Sequence, residues 1–229
     1  MARLLIHVEG PTEENFVNEV LRNHLFATGY HSVSARIMGN ARLRQHRGGI
    51  CGWPSAKRDI VHHLMEDADC VVSTFVDYYG LPQTGAGGWP GRSTAGALTT
   101  TEAKARCVQD SLAADMSNRF DQRRFVPFVV MHEFEGLLFS DCAAFSRGIF
   151  RAELESWFQS IRDQFATPEE INDSPMTAPS KRIQEAVPGY QKPLLGVLAA
   201  LEIGLVRIRA ECPHFNSWMT RLESLAQSR

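Results

Sequence analysis

The chain has 229 residues, of which 44% are hydrophobic and 22% charged, with a formal net charge of −2 and a pI near 6.4. That balance belongs to a folded globular protein of one large domain, or of one domain with a helical extension. It excludes a chain that works by global basicity, so any nucleic-acid contact has to come from a local basic patch.

In chain order, residues 4–8 read as a buried strand, and residues 13–25 as a helix with Phe16, Val17, Val20, Leu21 and His24 on one face. Thr12 stands where it would cap that helix, and Glu13 and Glu14 suit the positive end of its dipole. Residues 31–38 alternate as a second strand, a Gly-rich basic loop covers 39–54, and a helix follows over 55–67. Residues 70–76 form a nearly continuous β-branched apolar run, the mark of a strand covered on both faces. A long loop (78–100), a helix (101–120) and a fourth strand (125–131) complete an alternating pattern. Such alternation predicts an α/β fold, a mostly parallel sheet flanked by helices.

Beyond residue 133 the signals are helical, over 133–139, 151–165, 193–200, 205–210 and 213–227, with a polar stretch over 166–193 read as loop. The expected organisation is an α/β domain over 1–141 and a helical extension over 142–229 packed on it as one compact unit. The cysteines, Cys51, Cys70, Cys107, Cys142 and Cys212, are odd in number and form no CxxC pair, so they read as reduced thiols. The N-terminus offers only Leu4-Leu5-Ile6 before it turns polar, and no apolar stretch approaches the roughly 20 residues of a membrane span. The expectation is a cytoplasmic protein with no membrane partner.

In an open parallel sheet, ligands bind outside the carboxyl ends of the strands. The first strand runs into Glu9-Gly10-Pro11-Thr12-Glu13, the third ends at Asp77, and the fourth runs into His132-Glu133-Phe134-Glu135. Like charges delivered to one edge raise one another's pKa unless a cation neutralises them. Two or three carboxylates suffice for a hard cation such as Mg²⁺, which keeps several waters. Singly, each acid is as easily a turn or helix cap; as a converging set they favour a site. Gly10 fits a tight turn with close backbone approach, and Pro11 a position that needs no backbone donor.

At these residues the sequence resembles a known family. Val8-Glu9-Gly10-Pro11-Thr12-Glu13-Glu14, with an acid ending the third strand, resembles the Toprim fold of topoisomerases, primases and OLD-type nucleases. More closely, the chain is identified as a member of the DUF4276 family of Toprim-like bacterial proteins. The residues that carry this are Phe75-Val76-Asp77-Tyr78-Tyr79-Gly80-Leu81-Pro82, His132-Glu133-Phe134-Glu135-Gly136-Leu137-Leu138-Phe139, Ala178-Pro179-Ser180-Lys181-Arg182 and Cys212-Pro213-His214-Phe215.

The resemblance implies Mg²⁺- or Mn²⁺-dependent phosphodiester hydrolysis on DNA or RNA. It maps acid/base and metal-ligand roles to Glu9, a further ligand to Glu13, and the third-strand Asp-x-Asp motif to Asp77 alone, since Tyr79 holds the second position. Either Glu135 or Glu133 then supplies the missing carboxylate, or the metal site is weakened or lost. Glu135 is preferred, because Glu133 lies nearer the strand end, where it can cap the following helix. The resemblance further implies an ATPase partner encoded nearby in a bacterial defence locus, and self-association stays open.

Phosphodiester hydrolysis needs an activated water and neutralised phosphate charge, both within reach of carboxylate-held metal. Arg42, Arg44 and Arg47 in the Gly-flanked loop, with Lys181, Arg182 and Lys192 later, are the candidates to contact the nucleic-acid backbone, although charge runs are usually solvated faces. Tyr78 and Tyr79 read as pocket walls rather than base-stacking platforms. His132-Glu133 lacks the second His of a zinc-protease motif, and Gly85-Ala86-Gly87-Gly88 lacks the Lys-Ser/Thr of a P-loop and reads instead as a flexible lid. Two other classes remain. A receiver-like phosphoacceptor would want paired acids after the first strand, where this chain has Glu-Gly-Pro. A non-catalytic module would use the acidic edge to bind metal or a partner's basic surface.

Overall fold

A computed structural model describes residues 2–39, 49–116, 120–171 and 177–227. Strands β1 (Arg3–Val8), β2 (Ser32–Ile37) and β3 (Cys70–Asp77) lie close to where the hydrophobic runs predict them. All pairings among the described strands are parallel, in the order β2-β1-β3-β4, with β5 pairing beside the carboxyl end of β3. Every residue of β3 is buried, as expected of a central strand with both faces covered.

The fourth strand is interrupted: β4 (Phe125–Val126) and β5 (Val129–Val130) replace the single run expected over 125–131. Pro127 has no N–H to give to a ladder, so pairing must break there. The Thr74 hydroxyl fills the gap, donating to the Phe128 carbonyl (2.8 Å) and accepting from the Phe128 N–H (2.9 Å).

After β1 the chain forms one long rod: α1 (Pro11–Phe16), a π-helical turn (Val17–Leu21) and α2 (Arg22–Ala27). Its N-cap is Gly10, not Thr12, which is buried in the first turn. Gly10 is fully extended (φ −158°), so it makes no left-handed turn, whereas Pro11 does take the first helical position, where its missing N–H is harmless. Helix α3 (Trp53–Glu66) precedes β3; the loop after β3 holds the short α4 (Arg92–Ala95), and α5 (Thr101–Ala114) follows, capped by Thr100.

The loop read as a lid leaves Gly85 and Ala86 exposed but is anchored at Gly87 and Trp89. Trp89 is buried beside Trp53 (5.1 Å between rings) and donates to the Cys51 carbonyl, while Trp53 N–H bonds the Gly87 carbonyl. Gly52 and Gly87 approach so closely that a Cβ on Gly52 would stand 2.8 Å from the Gly87 Cα.

The C-terminal part comprises a 3₁₀ segment (Phe134–Ser140), α6 (Cys142–Gly148), α7 (Glu155–Arg162), α8 (Pro179–Ala186), α9 (Lys192–Ile203), α10 (Leu205–Glu211) and α11 (Pro213–Gln227). Helices α6 and α8 stand outside the predicted helical stretches, α8 within the stretch read as loop. Alternate residues of β1 divide the core. Leu4, Ile6 and Val8 face Phe16, Phe75, Phe128, Phe215 and Trp218, while Leu5 faces the side formed by Ile60, Leu64, Val108 and Leu112. The C-terminal helices thus share one core with the sheet. No described helix is long and apolar enough to cross a membrane.

Candidate active site

The carboxyl ends of β1, β3 and β5 set out the acids along one edge of the sheet. Glu9 follows β1, and its carboxylate lies beside the turn after β3, where a Cβ on Gly80 would stand 3.3 and 3.4 Å from its two oxygens. Glu13 is buried one turn into the rod and is one of the charges acting on both Glu9 and Asp77. Asp77 closes β3; its Oδ1 accepts the Phe134 N–H at 2.9 Å, which locks the end of β3 to the segment after β5.

That segment turns sharply at His132, whose backbone is left-handed (φ 63°), a conformation uncommon outside glycine. The Tyr79 N–H bonds the His132 carbonyl at 3.1 Å, tying the two strand ends together a second time. From this turn the chain delivers Glu133, half-buried, and Glu135, fully buried.

Glu133 does not cap the segment that follows it: Phe134–Ser140 begins without a side-chain cap. Its Oε2 instead accepts the Ser180 N–H at 2.9 Å, at the first turn of α8. The Ala178-Pro179-Ser180 run therefore positions Glu133, a role that a helix-opening Pro after a small residue could have signalled in the sequence.

Lys192, the first residue of α9, enters the cluster from the other side. Its Nζ lies 2.9 Å from Glu135 Oε2 and 3.6 Å from Asp77 Oδ2. Lys192 was among the residues expected at the nucleic-acid backbone; the structure sets it among the carboxylates. Of the other basic candidates, Lys181 is exposed on α8, and Arg182 is half-buried with its Nε on the Thr177 carbonyl. Arg42, Arg44 and Arg47 lie outside the described residues. Tyr78 is core, gripped by Arg92 through its carbonyl, its hydroxyl and its ring face, while Tyr79 is 40% exposed.

The electrostatics follow from burial and crowding. Burial, reinforced by Glu13 and Glu133, pushes Glu9 up to about 7 against the pull of Lys192 and a backbone hydrogen bond at Asp77. Burial also raises Asp77 well above the usual carboxylate range, with Glu13, Glu9 and Glu135 adding to it and Lys192 opposing. Glu135 is raised by burial and by Glu133. Burial pulls the Lys192 ammonium down, but Glu135, Asp77 and Glu13 outweigh it and hold it well above its ordinary value.

Among the described residues, no group of His, Cys, Asp and Glu side chains is placed to hold a metal ion as it stands. The donor set nevertheless has the chemistry of a hard-cation site: all oxygens, with buried Glu9 Oε2 and Glu135 Oε1 making no hydrogen bond. Buried polar atoms left without partners are rare and call for a reason.

A family model described as a domain of unknown function, DUF4276, matches residues 8–223, and the chain belongs to that family. No match was found among curated proteins or among solved structures.

Proposed function

We propose that the chain is a Toprim-type nuclease, hydrolysing phosphodiester bonds of DNA or RNA at the carboxylate cluster with Mg²⁺ or Mn²⁺. The observation that carries this reading is the convergence of Glu9, Asp77 and Glu135 from three parallel strand ends, two of them with buried oxygens that lack hydrogen-bond partners. Glu9, Asp77 and Glu135, with Glu13 and Glu133 beside them, would hold the ion. When bound, it neutralises phosphate charge and acidifies an attacking water.

The chain's own groups supply the rest. Glu9 stands at the end of the first strand, where the family resemblance puts the acid/base residue, with its carboxylate beside the turn after β3. Its Oε2, buried and without a hydrogen bond, would take a proton from a water admitted to the site. Asp77 is held rigid through Oδ1, which leaves Oδ2 to face the cluster. Glu135 supplies the carboxylate that Tyr79 cannot, from the neighbouring strand end. Lys181, exposed on α8 next to the Ser180 that holds Glu133, would contact a nucleic-acid backbone, with Arg182 following it in the helix.

The family resemblance supports a cytoplasmic defence effector acting with a partner ATPase. One observation favours a second reading, a non-catalytic Toprim-like module: Lys192 already neutralises Glu135 and Asp77.

The test is incubation of purified protein with labelled DNA and RNA pools, in Mg²⁺, in Mn²⁺ and in EDTA, with and without the neighbouring ATPase. Metal-dependent cleavage is expected, reduced about a thousandfold or more by Glu9→Ala and Asp77→Ala while the fold survives. Cleavage that persists unchanged in both variants overturns the assignment, and metal binding without cleavage under every condition selects the module.

A further inference from the structure

The Arg124 and Lys192 cations are held in two different ways. The Arg124 guanidinium donates to the backbone carbonyls of Leu64 (2.8 Å), Asp67 (2.8 Å) and Cys70 (3.1 Å), so it is fixed by neutral acceptors that cannot leave. Lys192 is held by carboxylates, Glu135 at 2.9 Å and Asp77 at 3.6 Å. Its attachment is therefore electrostatic, and any other cation competes for it.

Three features make that competition practicable. The Lys192 side chain is 34% exposed, so its flexible stem has a way out to solvent. A single ammonium is too little charge for the acids that surround it, and Glu135 Oε1 still makes no hydrogen bond. Lys192 also opens α9, a helix separate from every strand end that carries the acids, so withdrawing it disturbs no carboxylate's own support.

We propose that Lys192 is an intramolecular stand-in for the divalent cation. In the metal-free protein its ammonium neutralises Asp77 and Glu135, and it withdraws from them when Mg²⁺ or Mn²⁺ binds. Loading is thus an exchange of one cation for another, and the wild-type site binds metal more weakly than its carboxylates alone would. This inference rests on the carboxylate cluster being a metal site.

Mn²⁺ titration by calorimetry of wild type, Lys192→Met and Lys192→Arg tests it. Lys192→Met, which keeps length but removes charge, is expected to bind Mn²⁺ about tenfold tighter or more, because the competitor is gone. Lys192→Arg, which retains the charge, is expected to stay as weak as wild type or weaker. Equal or weaker binding by Lys192→Met overturns the stand-in role and leaves the metal site intact. If none of the three proteins binds Mn²⁺, the metal-site reading falls and the inference with it.

Unfolding temperatures cover the case in which Lys192→Met is unstable. Its metal-free form is expected to melt below wild type and to gain more from added Mn²⁺ than wild type does. A gain no larger than that of wild type counts against the exchange.

Discussion

Glu135, at 0% exposure, and Glu169, at 6%, are both almost wholly removed from water, and burial raises the pKa of both. Their surroundings differ completely. Glu169 gives both oxygens to the backbone at the start of α11, Oε2 accepting the His214 N–H at 2.9 Å and Oε1 the Phe215 N–H at 2.8 Å. Those N–H groups would otherwise be orphans of a helix end. Among the described residues Glu135 accepts no backbone N–H of a neighbouring element; its Oε2 is ion-paired with the Lys192 ammonium and its Oε1 makes no hydrogen bond. A carboxylate used up by backbone donors is a structural part, because releasing it would undo a helix terminus. A carboxylate held by a movable side chain remains open to exchange. Burial and pKa alone do not separate these cases, whereas the identity of the donors does.

The sharpest way to break that contrast is through Glu169. Glu169→Ala removes two charge-assisted hydrogen bonds and uncaps α11, and is expected to destabilise the protein by about 2–4 kcal/mol. Denaturant unfolding measures this, and calorimetry on the folded variant should show wild-type Mn²⁺ binding. A stability loss below about 1 kcal/mol, or a lost metal response, would remove the distinction between structural and exchangeable acids.

A smaller effect of opposite sign is expected at the cluster itself. Glu9 holds its proton up to about 7 in the folded protein, against the 4.5 of a free side chain. Below about 4.5 its neutral form contributes fully to stability; that contribution declines as the pH rises to about 7 and is then lost. Asp77 and Glu135, also raised, slope the same way. In EDTA, Glu9→Gln should therefore be more stable than wild type at pH ~8 by about 1–2 kcal/mol, a figure discounted for its partial exposure. The difference should vanish near pH ~4.5, and added Mn²⁺ should stabilise wild type more than the variant. A variant less stable than wild type at the higher pH would mean that Glu9 is satisfied where it stands.

The sheet and its acids were legible because they depend on local pattern. The runs ending at Val8 and Asp77 are apolar and β-branched, so strand, direction and the position of the acids follow from periodicity and the rule that ligands bind at strand ends. Helix α11 appears over the range its periodicity predicts. Lys192 was legible as a basic residue but not as a partner of Glu135, because that contact arises from how α9 packs against α1 and the 3₁₀ segment over Phe134–Ser140, a tertiary outcome. The contact of Glu133 is hidden from the sequence for the same reason: its partner, Ser180, comes from a helix that polar composition disguises as loop. The break between β4 and β5 is written in the sequence at Pro127, whose missing N–H interrupts the apolar run. Asp141, whose Oδ1 accepts the Ala144 N–H at 2.9 Å, was likewise a visible cap for α6.

The smallest effect concerns where the cluster meets a polyanion. Helix α8 is tied to Glu133 through Ser180, and Lys181 is the next residue, exposed, its Nζ 3.5 Å from the Gln184 Oε1. No carboxylate is paired with it among the described ion pairs, so its charge is free for a phosphate in a way that Lys192's is not. Lys181→Ala should weaken binding of a short oligonucleotide by about threefold at moderate salt and lower the dependence of log K on log[salt] by about one contact, across sequences alike. Lys192→Met should leave that salt slope nearly unchanged in the metal-free protein, since its ammonium is neutralised internally. If instead Lys192→Met lowers the slope while Lys181→Ala does not, then Lys192 is already turned toward the ligand, and the carboxylates at the end of β3 and after β5 are less committed to it than their distances indicate.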